Sequence, residues 1–121
     1  MRLFIYITSV IVLSMSALTE IRAAKGLAAL GNTTRLRLLK LLIKAGIDGL
    51  NIGQIQAHLA VPASTLAHHI AALVQAGLLR QSKQGREVIC RADYGALRGL
   101  SAYLLDECCA GVEVDTADDA A

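Results

Sequence analysis

Asn51-Ile52-Gly53-Gln54-Ile55-Gln56-Ala57-His58-Leu59-Ala60-Val61-Pro62-Ala63-Ser64-Thr65-Leu66-Ala67-His68-His69-Ile70-Ala71-Ala72-Leu73-Val74-Gln75-Ala76-Gly77 holds two short amphipathic segments on either side of a proline. Asn51 can cap a first helix, and Gln54, three residues on, completes a capping-box arrangement. Ile55 and Leu59 form the inward face of that helix. Ala60-Val61-Pro62 reads as a tight turn, followed by a second helix from about Ala63 to Ala76 that Gly77 closes. Leu66, Ile70, Leu73 and Val74 make its buried stripe, with Thr65, His68, His69 and Ala72 on the opposite side. Two helices joined by so short a turn, the second with a polar, short-chained outer face, form a helix-turn-helix pattern.

On the N-terminal side, Leu18, Ile21, Ala24 and Ala28 give a helical stripe between Ala17 and Leu30, which Gly31-Asn32 stops. A Leu-rich helix follows from Thr33 to Ala45, carrying Arg35, Arg37, Lys40 and Lys44 and ending at Gly46. On the C-terminal side, Leu78 to Ser82 and Arg86 to Arg91 flank Lys83-Gln84-Gly85, a β-hairpin with Arg80, Lys83 and Arg86 about its tip. Asp93 can cap a last helix from Tyr94 to about Cys109, striped by Leu97, Leu100, Leu104 and Cys108. The expected fold is mainly α with a small β-hairpin: a winged helix-turn-helix over residues 15–112. Residues 113–121 form an acidic tail with the composition of disordered chain. Residues 1–14 stand apart. Their apolar run from Leu3 to Leu13 is signal-like yet short for a membrane span, and Met15 offers an alternative start. No membrane association is expected for the mature domain.

At 121 residues and 55% hydrophobic, the chain supports one modest core. Its Leu- and Ala-rich helices are of the kind that complete a core by pairing with a second copy. The net charge of +2 conceals an asymmetry. Six of the ten acids lie in residues 106–121, whereas residues 15–105 carry 11 basic and 4 acidic side chains. A basic body with an acidic end is compatible with a nucleic-acid partner. Three cysteines, Cys90, Cys108 and Cys109, are too few and odd in number for a secreted disulfide scaffold. The adjacent pair suits soft-ion or thiol chemistry in a reducing, cytoplasmic setting. Enzyme signatures are missing: the sequence has no Gly-rich phosphate loop, no zinc-hydrolase spacing and no Ser/His/acid constellation.

The order helix, helix, helix-turn-helix, basic hairpin, helix resembles the ArsR/SmtB family of metal- and metalloid-responsive repressors. Three segments carry the likeness: Leu27 to Leu39 (with Thr33 where the family usually has proline), Gly49 to Ile55, and Ser64 to Ile70 with Leu73 and Gly77-Leu78-Leu79. The ending Tyr103-Leu104-Leu105-Asp106-Glu107-Cys108-Cys109-Ala110-Gly111 is similar to members whose last helix ends in a vicinal cysteine pair and which answer to trivalent arsenic. Such members often carry a third cysteine soon afterwards, and this chain has none after Cys109. The resemblance implies a homodimer formed by the first and last helices, reading an inverted repeat in double-stranded operator DNA.

The resemblance also assigns roles. Ser64, Thr65, His68 and His69 would approach DNA from the reading helix, and Lys83 and Arg86 from the wing. His68 and His69 as joint metal ligands are disfavoured, because neighbouring helical side chains point about 100° apart. With no histidine after His69 and no cysteine in the third helix, two other effector sites of the family have no ligands here. Cys108 and Cys109 remain, and thiolates select As(III) and similar soft ions. No further cofactor is required. Joint chelation needs the helix to end or unwind, which Gly111 favours. The alternatives are a redox-sensing regulator and, further off, a non-DNA-binding thiol oxidoreductase. Asp106, Glu107 and the negative helix end suit an ion that displaces the thiol proton better than a thiol that must ionise first. Cys90 alternates with Val88 and is expected to pack inward.

Overall fold

The computed structural model describes residues 18–114. The 1–14 extension and residues 115–121 of the acidic tail lie outside them. The first helix, α1, spans Glu20–Leu30, with the Thr19 hydroxyl accepting from the Arg22 amide at 3.2 Å. Helix α2, Thr33–Ala45, is capped by Asn32, whose Oδ1 accepts from the Arg35 amide, and stops at Gly46. A 3-10 turn, Gly46–Asp48, leads to a two-residue strand β1, Leu50–Asn51, and directly into α3, Ile52–Leu59. The capping box expected at Asn51 is present. Its Oδ1 accepts from the Gln54 amide at 2.8 Å, and Gln54 Oε1 accepts from the Asn51 amide at 2.9 Å.

Ala60 takes a left-handed φ of 53° at the end of α3, and the chain re-enters a helix at α4, Ala63–Gln75, with the axis turned by 110°. Gly77 (φ 77°) releases the chain into β2, Leu79–Gln84, which pairs antiparallel with β3, Glu87–Ala92. Asp93 then caps α5, Tyr94–Leu105, accepting from the Ala96 amide at 2.9 Å. The sheet order is β1-β3-β2, with Leu50 opposite Cys90 and Asn51 opposite Ile89. Strand β1 was not expected. At two residues it carries no periodic signal, and it exists because β3 offers a free edge beside it. Gly49 makes that approach possible: with φ 66°, a Cβ there would fall 2.4 Å from the Cys90 carbonyl oxygen.

The core sits where α2, α3 and α4 meet the sheet. Leu38, Leu42, Ile55, Leu66, Leu73 and Cys90 are its fully buried large side chains, and each buried leucine or isoleucine is worth about 1.5–3 kcal/mol against exposure. Among the described residues no single helix is long and apolar enough to cross a membrane.

Three details correct the sequence reading. The hairpin turns at Gly85-Arg86, not over Lys83-Gln84-Gly85. Gln84 faces Glu87, and Gly85 supplies the positive φ (64°) that a two-residue turn requires. Helix α1 turns Ala23, Gly26 and Ala29 to the core, so the expected stripe of Ile21, Ala24 and Ala28 faces outward. The small residues let α1 lie close, with Gly26 Cα backed onto Leu100 and Leu78. Helix α5 ends at Leu105, four residues early. Asp106 is extended (ψ 140°), and its side chain accepts from the Glu107 amide. A short polar side chain that bonds local backbone competes with the helix, and beyond Leu105 every described side chain is exposed.

Candidate nucleic-acid interface and thiol site

Helix α4 presents Ser64, Thr65 and His68 to solvent in its first half. Pro62 precedes it and no side chain caps it, so the amides of its first turn are open at the positive end of the helix dipole. Such an end favours phosphate beside Ser64. The wing carries Lys83 on β2 and Arg86 at its tip, both exposed. Arg80 does not join them at the tip. It lies at the hairpin base in an ion pair with Asp93 at 2.9 Å.

His69 departs from the expected outer stripe. It is only 8% exposed, and its Nδ1 accepts a hydrogen bond from Arg35 Nε at 3.1 Å. The ring belongs to the contact between α2 and α4, with Leu66, Ile70 and Leu73 as the other buried residues of its helix. Burial, the Arg35 charge and then His68 hold its pKa below the ordinary histidine value. The neutral ring with its proton on Nε2 is therefore the form that fits. Val74, placed in the buried stripe by periodicity, is instead 38% exposed. The inward face of α4 is rotated by one position, from Val74 to His69.

The wing is braced by Arg91, which the sequence did not single out, and by Asn51, expected only as a helix cap. Arg91 donates from Nε to the Ile47 carbonyl at 2.7 Å and from Nη1 to Ser82 Oγ at 2.6 Å. Asn51 Nδ2 donates to Glu87 Oε1 at 3.2 Å, joining the start of α3 to β3. These bonds fix the hairpin relative to α3. Their only sequence signal was a polar residue in a strand that alternates otherwise.

Cys90 is fully buried in β3, as its alternation predicted, and burial pushes its thiol pKa up. Cys108 and Cys109 lie outside the helix, in successive turns closed by Cys108 N–H to the Leu105 carbonyl and Ala110 N–H to the Glu107 carbonyl. Glu107 and Cys109 both take left-handed φ, 59° and 64°. That backbone cancels the divergence of neighbouring helical side chains, and the two sulfurs stand 3.4 Å apart, both exposed. Among the described residues, no cluster of three or more His, Cys, Asp or Glu side chains is arranged to hold a metal ion.

An open-ended helix set at 110° to its predecessor, a braced basic hairpin beside it and helices at both ends define a winged helix-turn-helix protein. Residues 30–82 match a family of helix-turn-helix domains. None of the curated proteins compared with the chain matches it by sequence. Among solved structures, an ArsR-like transcriptional regulator from Rhodococcus sp. RHA1 is similar at 29% identity and a TM-score of 0.60, over 69% of this chain and 76% of that one. A possible transcriptional regulator for arsenical resistance is similar at 27% identity and a TM-score of 0.60, over 79% of this chain and 92% of that one. The homodimeric winged helix-turn-helix DNA-binding domain of a possible ArsR-family regulator from Mycobacterium bovis shares the fold. It is 23% identical with a TM-score of 0.57, over 75% of this chain and 90% of that one. The chain is thus similar to solved ArsR-like transcriptional regulators and shares their winged helix-turn-helix fold.

Proposed function

We propose that the protein is a homodimeric DNA-binding repressor, released from its operator when a thiophilic ion, As(III) above others, binds Cys108 and Cys109. The observation that carries the effector is the 3.4 Å separation of the two sulfurs on a backbone that has already left the helix. With soft thiolate bonds of about 2.3 Å, the zinc–sulfur length, that separation subtends about 95° at a shared ion. This is narrower than the tetrahedral angle of structural zinc. It is close to the pyramidal angle of three-coordinate arsenic(III), whose lone pair compresses its bonds. The third ligand would come from the partner subunit, a small thiol or water. The likeness to a possible regulator for arsenical resistance points the same way.

DNA reading is supported by the exposed Ser64, Thr65 and His68 on α4, with Lys83 and Arg86 on the wing. Pairing through α1 and α5 is supported by the outward Ile21 and Leu27 of α1 and Leu104 and Leu105 of α5, and by the homodimeric neighbour of the same fold. A twofold dimer would read an inverted repeat. Ligation would then act through the chain. Residues 106–109 continue α5 directly, so closing the thiolates on an ion reshapes the end of a dimer helix and the spacing of the two reading helices. A coupling of about 1–3 kcal/mol weakens operator binding several-fold to about a hundredfold.

The test is fluorescence anisotropy of the reduced protein on DNA from upstream of its own gene, titrated with arsenite. Release is expected, and its loss in Cys108→Ser and Cys109→Ser locates the site. Binding that ignores arsenite but is abolished by oxidation, again only with both cysteines present, would replace the ion sensor with a redox sensor. No DNA binding at all would overturn the regulator reading.

A further inference from the structure

Arg35 has a role that the reading helix and the wing leave unclaimed. It is the third residue of α2, half-buried, and its Nε is committed to His69 Nδ1 of α4 at 3.1 Å. Among the described residues no carboxylate pairs with it, the ion pair there being Arg80 with Asp93. A guanidinium with solvent access and no protein counter-anion is open to an oxyanion that arrives from outside. His69 is preceded on α4 by Thr65 one turn earlier and by His68, both exposed, so its bond to Arg35 ties the first turn of α2 to the stretch of α4 that carries those residues. Nε is the nitrogen used, which leaves both terminal amino groups, four N–H donors, for an oxyanion. A phosphate of a duplex seated against Thr65 and His68 has the matching chemistry, since Arg takes phosphate bidentately with its terminal nitrogens.

We propose that Arg35 is a DNA-backbone contact of this protein and that His69 is the residue that positions it. This rests on the DNA-binding reading above and gives His69 a part in it that is structural instead of base-reading. The neutral imidazole fixes the guanidinium through Nε, ties the first turn of α2 to the middle of α4, and so sets the phosphate contact and the reading helix as one rigid unit. A lysine at position 35 keeps the charge but has no Nε–H to hold in register.

The experiment uses the full chain on a mixed-sequence 30-base-pair duplex, because a phosphate contact acts on any sequence, with affinity followed by anisotropy from about 50 to 200 mM salt. Arg35→Gln is expected to weaken binding about tenfold and to lower the slope of log affinity against log salt by about one per protomer. Arg37→Gln, the same charge loss one turn-face away, is the control and should leave a steeper slope than Arg35→Gln. His69→Leu should lower the slope as Arg35→Gln does. His69→Gln, whose amide oxygen still accepts from Nε, should restore most of it. Circular dichroism confirms that each variant is folded before its slope is read. Equal effects of Arg35→Gln and Arg37→Gln would reduce Arg35 to general surface charge and overturn the contact. An unchanged slope in His69→Leu would overturn the positioning role. Wild-type protein that fails to bind the duplex at 50 mM salt would overturn the DNA-binding reading itself, and this proposal with it.

Discussion

His69 lies on the border between the exposed and buried faces of α4, and an imidazole suits either side of such a border. Its neutral state has a consequence for stability. The folded chain holds the His69 pKa below 6.5, through burial first and then through Arg35 and His68, while the unfolded chain leaves it at the ordinary value. Between those two values the unfolded state binds more protons, so the free energy of unfolding rises with pH through that window. Above 6.5 this contribution is fully present, and it is lost as pH falls toward the depressed value. Urea unfolding of the wild type between pH 7.5 and 5 should therefore show falling stability below 6.5. In His69→Gln that part of the fall should disappear, and an identical pH profile in the variant would place its source elsewhere. Sequence alone could not fix this residue. Periodicity puts position 69 at the edge of the outer stripe, and the partner that draws it inward lies 34 residues away. Cys90 was the easier case, because strand alternation resolves inside from outside without a distant partner.

At the scale of elements, caps and turns carried most of the legible signal. Asn51 and Asp93, read as caps from the sequence, each accept the backbone amide three residues on, and Thr19 and Asn32, not read as caps, do the same. Asn51 has the most to lose. It caps α3 reciprocally with Gln54, pairs with Ile89 as part of β1, and reaches Glu87 with its side-chain amide. Asn51→Ala should cost about 1–2 kcal/mol in denaturant unfolding, toward the upper range for a lost cap. Asn51→Ser, which keeps the capping oxygen but not the bond to Glu87, should recover more than half. Equal losses in the two variants would move the weight from the cap to the strand junction. What stayed illegible has a common cause. A period of 3.6 identifies an apolar face but not what covers it. In α1 the visible stripe ran through Leu18, Ile21, Ala24 and Ala28, whereas the protomer's own core takes Ala23, Gly26 and Ala29 and leaves Ile21, Ala24 and Ala28 outward. The end of α5 was misplaced for a related reason: the stripe ran on to Cys108, but no neighbour in the protomer supports that turn.

For the whole molecule, those uncovered faces make the strongest argument for a second copy. Ile21 is 70% exposed, Leu104 56% and Leu105 66%, and α1 packs directly on α5, so the exposed apolar side chains of both helices lie on adjoining elements. A lone protomer of this size would hold that surface in water at about 25 cal/mol per Å², and a twofold partner offering the same patch removes it for both chains. The reading helix and the basic wing belong to other elements, which pairing through α1 and α5 leaves free for DNA. Ile21→Glu combined with Leu104→Glu places charges on residues that the protomer's own fold does not bury, so each chain should keep its helical content. Sedimentation should show the apparent mass halved relative to wild type, with thermal unfolding becoming independent of protein concentration. Operator affinity should fall by about a hundredfold or more, since each half-site is then bound without the other. A variant that stays dimeric would move the interface away from α1 and α5. A monomer that keeps full operator affinity would break the link between pairing and DNA reading, and with it the route by which thiolate ligation after α5 is argued to release DNA.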